Sequence, residues 1–215
     1  MLEKIFPKIH VEGYKFLAIA IITTIFLYFF NTFLSFVGFV FSVWVYYFFR
    51  DPERVSINDD SYLTSPADGE VLMVHEVDGP KELNLDGKKF TKISIFMNVF
   101  DCHVNRTPCE GEISEIFYKP GKFLNASLDK ASEDNERNYY KITNNAGENI
   151  IVVQIAGLIA RRIVCESSKG QQLKQGERIG MIRFGSRADV YFENYKVLVK
   201  VGQKTIAGET LLAIR

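Results

Sequence analysis

The sequence predicts a mainly β, α+β protein: an antiparallel β-sandwich or barrel-sandwich-like domain preceded by an N-terminal hydrophobic helical hairpin. Three observations carry this. Residues 16–49 contain no Asp, Glu, Lys, Arg or His. The rest of the chain is a succession of short β-branched and aromatic runs bounded by Gly, Pro, Asn and Asp, the signature of strands and turns. The length of 215 residues accommodates one well-buried domain plus an appendage.

The charge-free run is too long for one upright span, since about 20 helical residues cross a hydrocarbon core of roughly 30 Å. It divides at Asn31 and Thr32, leaving two pieces of about 15 to 17 residues, at or below the spanning limit. Two arrangements stay open: a tight hairpin that crosses or nearly crosses, and a pair of helices lodged in one leaflet. In both, the chain enters and leaves on the same side. Lys4, Lys8 and Lys15 precede the run and Arg50 and Arg54 follow it, which places that side at the cytoplasmic face of the cell membrane. Trp44, Tyr46 and Tyr47 suit the interface. A secretory signal fits poorly, because the apolar run is too long and lacks a small-residue cleavage site. Residues 1–54 are therefore expected to be a membrane anchor and linker, and residues 55–215 a globular domain.

That domain reads as strands from "GEVLMV" and "FTKISIFM" through "NIIVVQIAG" and "RIGMIRF" to "TLLAI". The exception is residues 120–138, "PGKFLNASLDKASEDNERN", long and polar, with a helical turn expected around 128–131. Long irregular loops in compact domains tend to be functional. The formal net charge is zero, which argues against nucleic acid as a partner. Cys102, Cys109 and Cys165 form no CxxC pair, so reduced thiols are expected. With His10, His75 and His103 they build no zinc pattern, and no metal is expected.

One stretch resists the simple strand reading. In "MIRFGSRADVYF", residues 181–192, an alternating run is interrupted by Gly185 and Ser186. A hairpin turn is the plain explanation. A serine hydrolase would need G-x-S-x-G on a strand–turn–helix elbow, and here no second glycine follows and the next residues read as a strand. A third use is chemical. A serine hydroxyl can attack the carbonyl before it in a strained turn, converting the amide to an ester. Loss of the serine α-proton then expels the glycine carboxylate, and the dehydroalanine left behind hydrolyses to a pyruvoyl group. Glycine suits the leaving side because it adopts backbone conformations closed to other residues.

Five motifs in order point the same way: "SPADG" (65–69), "FMNVFDCHVNRTP" (96–108), "PGKFLNASLDKASEDNER" (120–137), "QIAGLIARRIVC" (154–165) and "RFGSRADVY" (183–191). Together they make the chain resemble the short bacterial phosphatidylserine decarboxylases over essentially its whole length. The resemblance implies self-cleavage between Gly185 and Ser186, giving a large β chain (1–185) and a small α chain (186–215) that stay together as a heterodimer. Ser186 would become a covalent pyruvoyl (pyruvate) cofactor, whose ketone forms a Schiff base with phosphatidylserine in the membrane and releases CO2 to leave phosphatidylethanolamine. Archaetidylserine or a related serine phospholipid is the alternative substrate, and a non-catalytic membrane-tethered module the alternative class.

The same resemblance assigns Asp68 as the acidic partner in self-processing and His103 as base in processing or proton donor in decarboxylation. Longer bacterial forms carry a second histidine where this chain has Arg106, which stays protonated and cannot be a general base. Arg106 suits a lipid phosphate or carboxylate instead. Lys122, Asn125, Lys130 and Arg137 are head-group candidates, Phe123 and Leu124 candidates for dipping into the bilayer. Arg161 and Arg162 read as interface charges or strand-end decoration, and His75 as structural.

Overall fold

A computed structural model describes residues 6–126, 134–158, 162–183 and 185–215. The chain divides into two compact units, Met1–Glu53 and Arg54–Arg215.

The first unit is a helical hairpin. Helix α1 spans Gly13–Tyr28 and α2 spans Thr32–Phe48. Asn31 separates them because its Oδ1 accepts the Phe33 and Leu34 N–H groups at 2.8 and 3.1 Å, capping α2. Polarity in the pair is reversed relative to a water-soluble hairpin. Thr24 Oγ1 and Ser42 Oγ meet at 3.1 Å between the helices, and Ser35 Oγ donates to the Thr24 carbonyl at 3.2 Å. Ile22, Phe26, Phe33, Phe36 and Phe39 are meanwhile exposed. Small and polar residues at the contact with apolar ones outside is the packing logic of helices in lipid. The helices hold 16 and 17 residues, roughly 24 to 26 Å at the α-helical rise. No helix among the described residues is long and apolar enough to cross a membrane.

The second unit is built on an eight-stranded antiparallel sheet. Its strands are β2 (Gly69–Asp78), β3 (Lys89–Met97), β5 (Gly111–Lys119), β6 (Arg137–Asn144), β7 (Asn149–Ala156), β9 (Gln172–Leu173), β11 (Ser186–Phe192) and β13 (Lys204–Thr205). The order is β13-β2-β3-β11-β7-β6-β5-β9. Two three-stranded sheets complete the unit. One is β1 (Tyr62–Thr64), β14 (Leu211–Ile214) and β12 (Lys196–Val197), the other β4 (Val104–Arg106), β10 (Arg178–Arg183) and β8 (Arg162–Cys165).

Period-two alternation divides the large sheet into two faces. Val71, Ile93, Ile95, Val152, Ala188, Val190 and Phe192 join Leu63, Leu212, Ile163, Ile179 and Ile182 of the small sheets in the main core. Phe90, Tyr139, Ile151, Val153 and Ile155 face the other way and are covered by Leu83, from the 3-10 turn Lys81–Leu83. Strand β7 is buried along seven of its eight residues, which is why "NIIVVQIA" reads as continuously apolar instead of alternating.

The stretch expected as one interrupted strand is two strands of different sheets. Strand β10 ends at Arg183 in a small sheet, and β11 begins at Ser186 in the middle of the large one, between β3 and β7. The Gly-Ser step is a crossover between layers, not a hairpin turn. The helical turn expected around 128–131 lies outside the described residues.

Candidate active site

Antiparallel topology gathers the five motifs at one end of the large sheet. Strands β2, β11 and β6 begin there, at Gly69, Ser186 and Arg137, while β3, β7 and β5 end there, at Met97, Ala156 and Lys119. Ser186 is the first residue of β11, in register with Met97 on one side and Ala156 on the other. It is fully buried, and its hydroxyl donates weakly to Met97 Sδ at 3.9 Å.

Two glycines set the bond before Ser186. Gly185 has φ +51°, and a Cβ added there would meet nothing within 4 Å, so conformation demands glycine and space does not. Gly157 is the reverse case. A Cβ on it would stand 2.0 Å from the Gly185 carbonyl oxygen, so this carbonyl packs against the Gly157 backbone where no side chain fits. A cavity of about 270 Å3 opens beside Gly185, lined also by Phe96, Asn98, Val99, Asn125, Ala126 and Leu158.

His103 follows a turn fixed by Asp101, whose Oδ2 accepts the Asn98 N–H at 2.9 Å. The histidine is fully buried with Nδ1 3.0 Å from the Asp101 carbonyl oxygen. A carbonyl only accepts, so Nδ1 carries the proton and Nε2 is the basic nitrogen. The His103 carbonyl accepts the Ile182 N–H at 3.3 Å, which places it level with β10 three residues before Gly185. Asp68 precedes β2, one strand beyond β3 from Ser186. Its Oδ2 lies 2.7 Å from Arg54 Nη2, and its Oδ1 accepts the Ala207 N–H at 2.8 Å.

A buried amide chain that sequence reasoning passed over runs behind the serine. Asn105 Nδ2 donates to the Pro66 carbonyl at 3.3 Å and to Met97 Sδ at 3.6 Å. Its Oδ1 accepts from Gln154 Nε2 at 2.9 Å, and Gln154 Oε1 in turn accepts from Asn138 Nδ2 at 3.2 Å. Asn105, Asn138 and Gln154 are at most 2% exposed. Satisfied buried networks of this kind rigidify a site, and this one ties four strands and the "SPADG" turn together at Met97.

The phosphatidylserine decarboxylase family profile matches residues 41–213. Phosphatidylserine decarboxylase proenzymes of Pelagibacter ubique, Ruegeria pomeroyi and Cereibacter sphaeroides are 87%, 52% and 50% identical to the chain. Each alignment covers 99% of this chain, and 99%, 98% and 92% of the respective relative. The chain belongs to the phosphatidylserine decarboxylase family.

Among the described residues expected to meet the substrate of a phosphatidylserine decarboxylase, the structure brings Asn125 alone to the cavity at Gly185. Lys122 is exposed and pairs with Asp134 at 3.2 Å. Arg106 is 5% exposed and donates through Nη1 to the Gly176 carbonyl at 2.8 Å, holding a turn of the fold. Arg137 shares the face of Tyr139, opposite the face that carries Ser186, with Nη2 3.7 Å from Glu82 Oε1. Phe123 packs against the main core, whereas Leu124 is exposed. Lys130 and Arg161 lie outside the described residues, and Arg162 and His75 are exposed on strands β8 and β2.

Two further features had weak sequence signals. Asn135 is fully buried and anchors the loop that carries Asn125. Its Oδ1 accepts the Leu124 N–H at 2.8 Å, and its Nδ2 donates to the Leu124 and Ala156 carbonyls at 2.9 and 2.7 Å. On the far face, Arg187 and Asp189 form a fully buried two-pronged ion pair at 2.6 and 2.8 Å. An arginine and an aspartate two residues apart on a strand share a face, and only the neighbouring apolar text hinted at their burial.

Proposed function

We propose that the chain is a pyruvoyl-dependent phosphatidylserine decarboxylase that cleaves itself between Gly185 and Ser186 and then removes CO2 from the lipid's serine head group, leaving phosphatidylethanolamine. The observation that supports this most is the placement of the Gly185–Ser186 bond. It lies at a crossover between sheets, follows a residue at φ +51°, has its carbonyl seated on Gly157 and stands beside a cavity.

In self-cleavage, Ser186 Oγ attacks the Gly185 carbonyl carbon. The C–N bond breaks as the nitrogen gains a proton, and an ester replaces the amide. Loss of the Ser186 α-proton then expels the Gly185 carboxylate, and water converts the resulting dehydroalanine to a ketone with release of ammonia. His103, with Nδ1–H committed to the Asp101 carbonyl, offers Nε2 to move these protons, and Asp68 is the acidic group of self-processing. Arg106 is committed to the Gly176 turn and supplies no base.

A pyruvoyl group fits position 186. The serine side chain is sealed from water on the core side, and the adjoining cavity is walled mostly by apolar side chains. The group supplies a carbonyl that condenses with the substrate amine and takes up the electron pair released with CO2. The chain's residues do the rest. Asn98 and Asn125 give the cavity amide groups for a carboxylate or phosphate, and Phe96, Val99 and Leu158 exclude water from it. Leu124, Leu158 and Phe100 are exposed apolar residues of the loops around it, and they rest on the bilayer that holds the acyl chains. The inverted hairpin of the first unit associates with the cytoplasmic side of the membrane.

Intact mass of the purified protein beside a Ser186→Ala variant tests the reading. Two fragments dividing after Gly185, the smaller lighter than residues 186–215 by one ammonia, together with a single chain in the variant, are expected. One uncleaved chain in both would refute it.

A further inference from the structure

The segment after the hairpin is a pinned strap. The second unit begins at Arg54, and the residues that follow have no regular secondary structure. Even so, the Val55 N–H donates to Glu209 Oε1 at 3.1 Å, Ser56 Oγ to the Gly208 carbonyl at 2.6 Å, and the Asp59 N–H to Gln175 Oε1 at 3.1 Å. A Cβ on Gly176 would stand 1.7 Å from Ser56 Oγ, so the underlying turn leaves just enough room for the strap to lie down.

At the head of the strap, Arg54 reaches Asp68. The two side chains are 15% and 13% exposed, with Arg54 Nη2 2.7 Å from Asp68 Oδ2. The other carboxylate oxygen takes the Ala207 N–H. Two separate segments therefore fix the plane of this carboxylate, and the guanidinium is the only one of the two that substitution can remove. Partly buried, charge-assisted bonds of this length are directional and hold a rotamer.

We propose that Arg54 is a positioning residue for self-cleavage, orienting the Asp68 carboxylate from a strap that opens the second unit. This rests on the role given above to Asp68. It adds that the reaction depends on a residue at the very edge of the domain, 14 positions before Asp68 and outside every motif that marks the site.

The test is the rate at which fragment 186–215 appears, followed by mass spectrometry on the full chain synthesised into phospholipid vesicles. Arg54→Gln is expected to slow it by about tenfold or more, as small misplacements of catalytic groups do. Arg54→Lys, which restores a cation, is expected to recover most of the rate. The double variant Arg54→Gln/Asp68→Asn should be no slower than Asp68→Asn alone. Arg54→Gln at the wild-type rate, Gln and Lys variants equally slow with equally lowered Tm, or additive losses in the double variant would each overturn the proposal. An unimpaired Arg54→Gln beside a slow Asp68→Asn sinks only this inference. Wild-type chain that never cleaves, or Ser186→Ala that does, sinks the underlying reading with it.

Discussion

Gly157 and Gly185 are both glycines at one peptide bond, for opposite reasons, and substitution separates them. Alanine at 157 would place a methyl carbon 2.0 Å from the Gly185 carbonyl oxygen, so Gly157→Ala should abolish fragment formation while Ser186 is still present. Alanine at 185 meets no neighbour but must hold φ +51°, a strain of about 1–2 kcal/mol. Gly185→Ala should therefore cleave, only more slowly. Mass spectrometry of the two variants after equal incubation decides between these outcomes. The thiols give a second residue-scale test. Burial pushes the Cys109 thiol up to about 12, so it stays protonated and inert at ordinary pH. Cys102 is also buried and Cys165 exposed. Iodoacetamide on the native protein should label Cys165 alone, with the other two reacting only after unfolding.

At the scale of elements, β11 is the critical piece. It hydrogen-bonds to β3 along seven residue pairs and to β7 along six, and Ala188, Val190 and Phe192 are fully buried in the main core. On the other face the side chains of Arg187 and Asp189 are fully buried as an ion pair within the strand, so β11 is enclosed on both sides. Removing one partner of such a buried pair costs about 3–5 kcal/mol, so Asp189→Asn should lower Tm markedly and Asp189→Leu with Arg187→Met far less. Once cleaved, fragment 186–215 should co-purify with fragment 1–185 and part from it only in denaturant, which size exclusion with and without guanidinium checks. The sequence made the strands of this sheet legible through their β-branched runs, and the hairpin through its missing charges and Asn31. It did not show that β10 and β11 belong to different sheets. Alternation reports which face a residue takes, but carries no information on the layer its strand joins.

For the molecule as a whole, acid should loosen both sides of the large sheet. Glu82 sits over the face of Tyr139, and Glu148 ties Asn144, Tyr195 and Arg215 together near the chain's end. Burial alone would raise both carboxyls. Hydrogen bonds from Lys119 to Glu82 and from Asn144, Arg215 and Tyr195 to Glu148 outweigh it, and both are held below the usual 4.5. A depressed carboxyl stabilises the fold above its unfolded value and loses that contribution as pH falls through the folded one. Melting curves between roughly pH 5 and 3 should therefore steepen downward in wild type and flatten in Glu148→Gln. The candidate site was partly legible. Gly185, Ser186, His103, Asp68 and Asn125 were singled out from the motifs, whereas Asn105, Gln154, Asn135 and Gly157, inside the same motifs, act through contacts that only the folded chain makes. Arg137 shows the limit from the other side, a loop-edge arginine that period two turns onto the wrong face. The central position of β11 also bears on synthesis. A ribosome delivers residues 186–192 almost last, so the sheet stays open down its middle while the chain is being made. The scissile bond has no Gly157 seat and no Met97 neighbour until β11 inserts. Cleavage can only follow insertion of β11, and a translation product that stops before this strand is never cut.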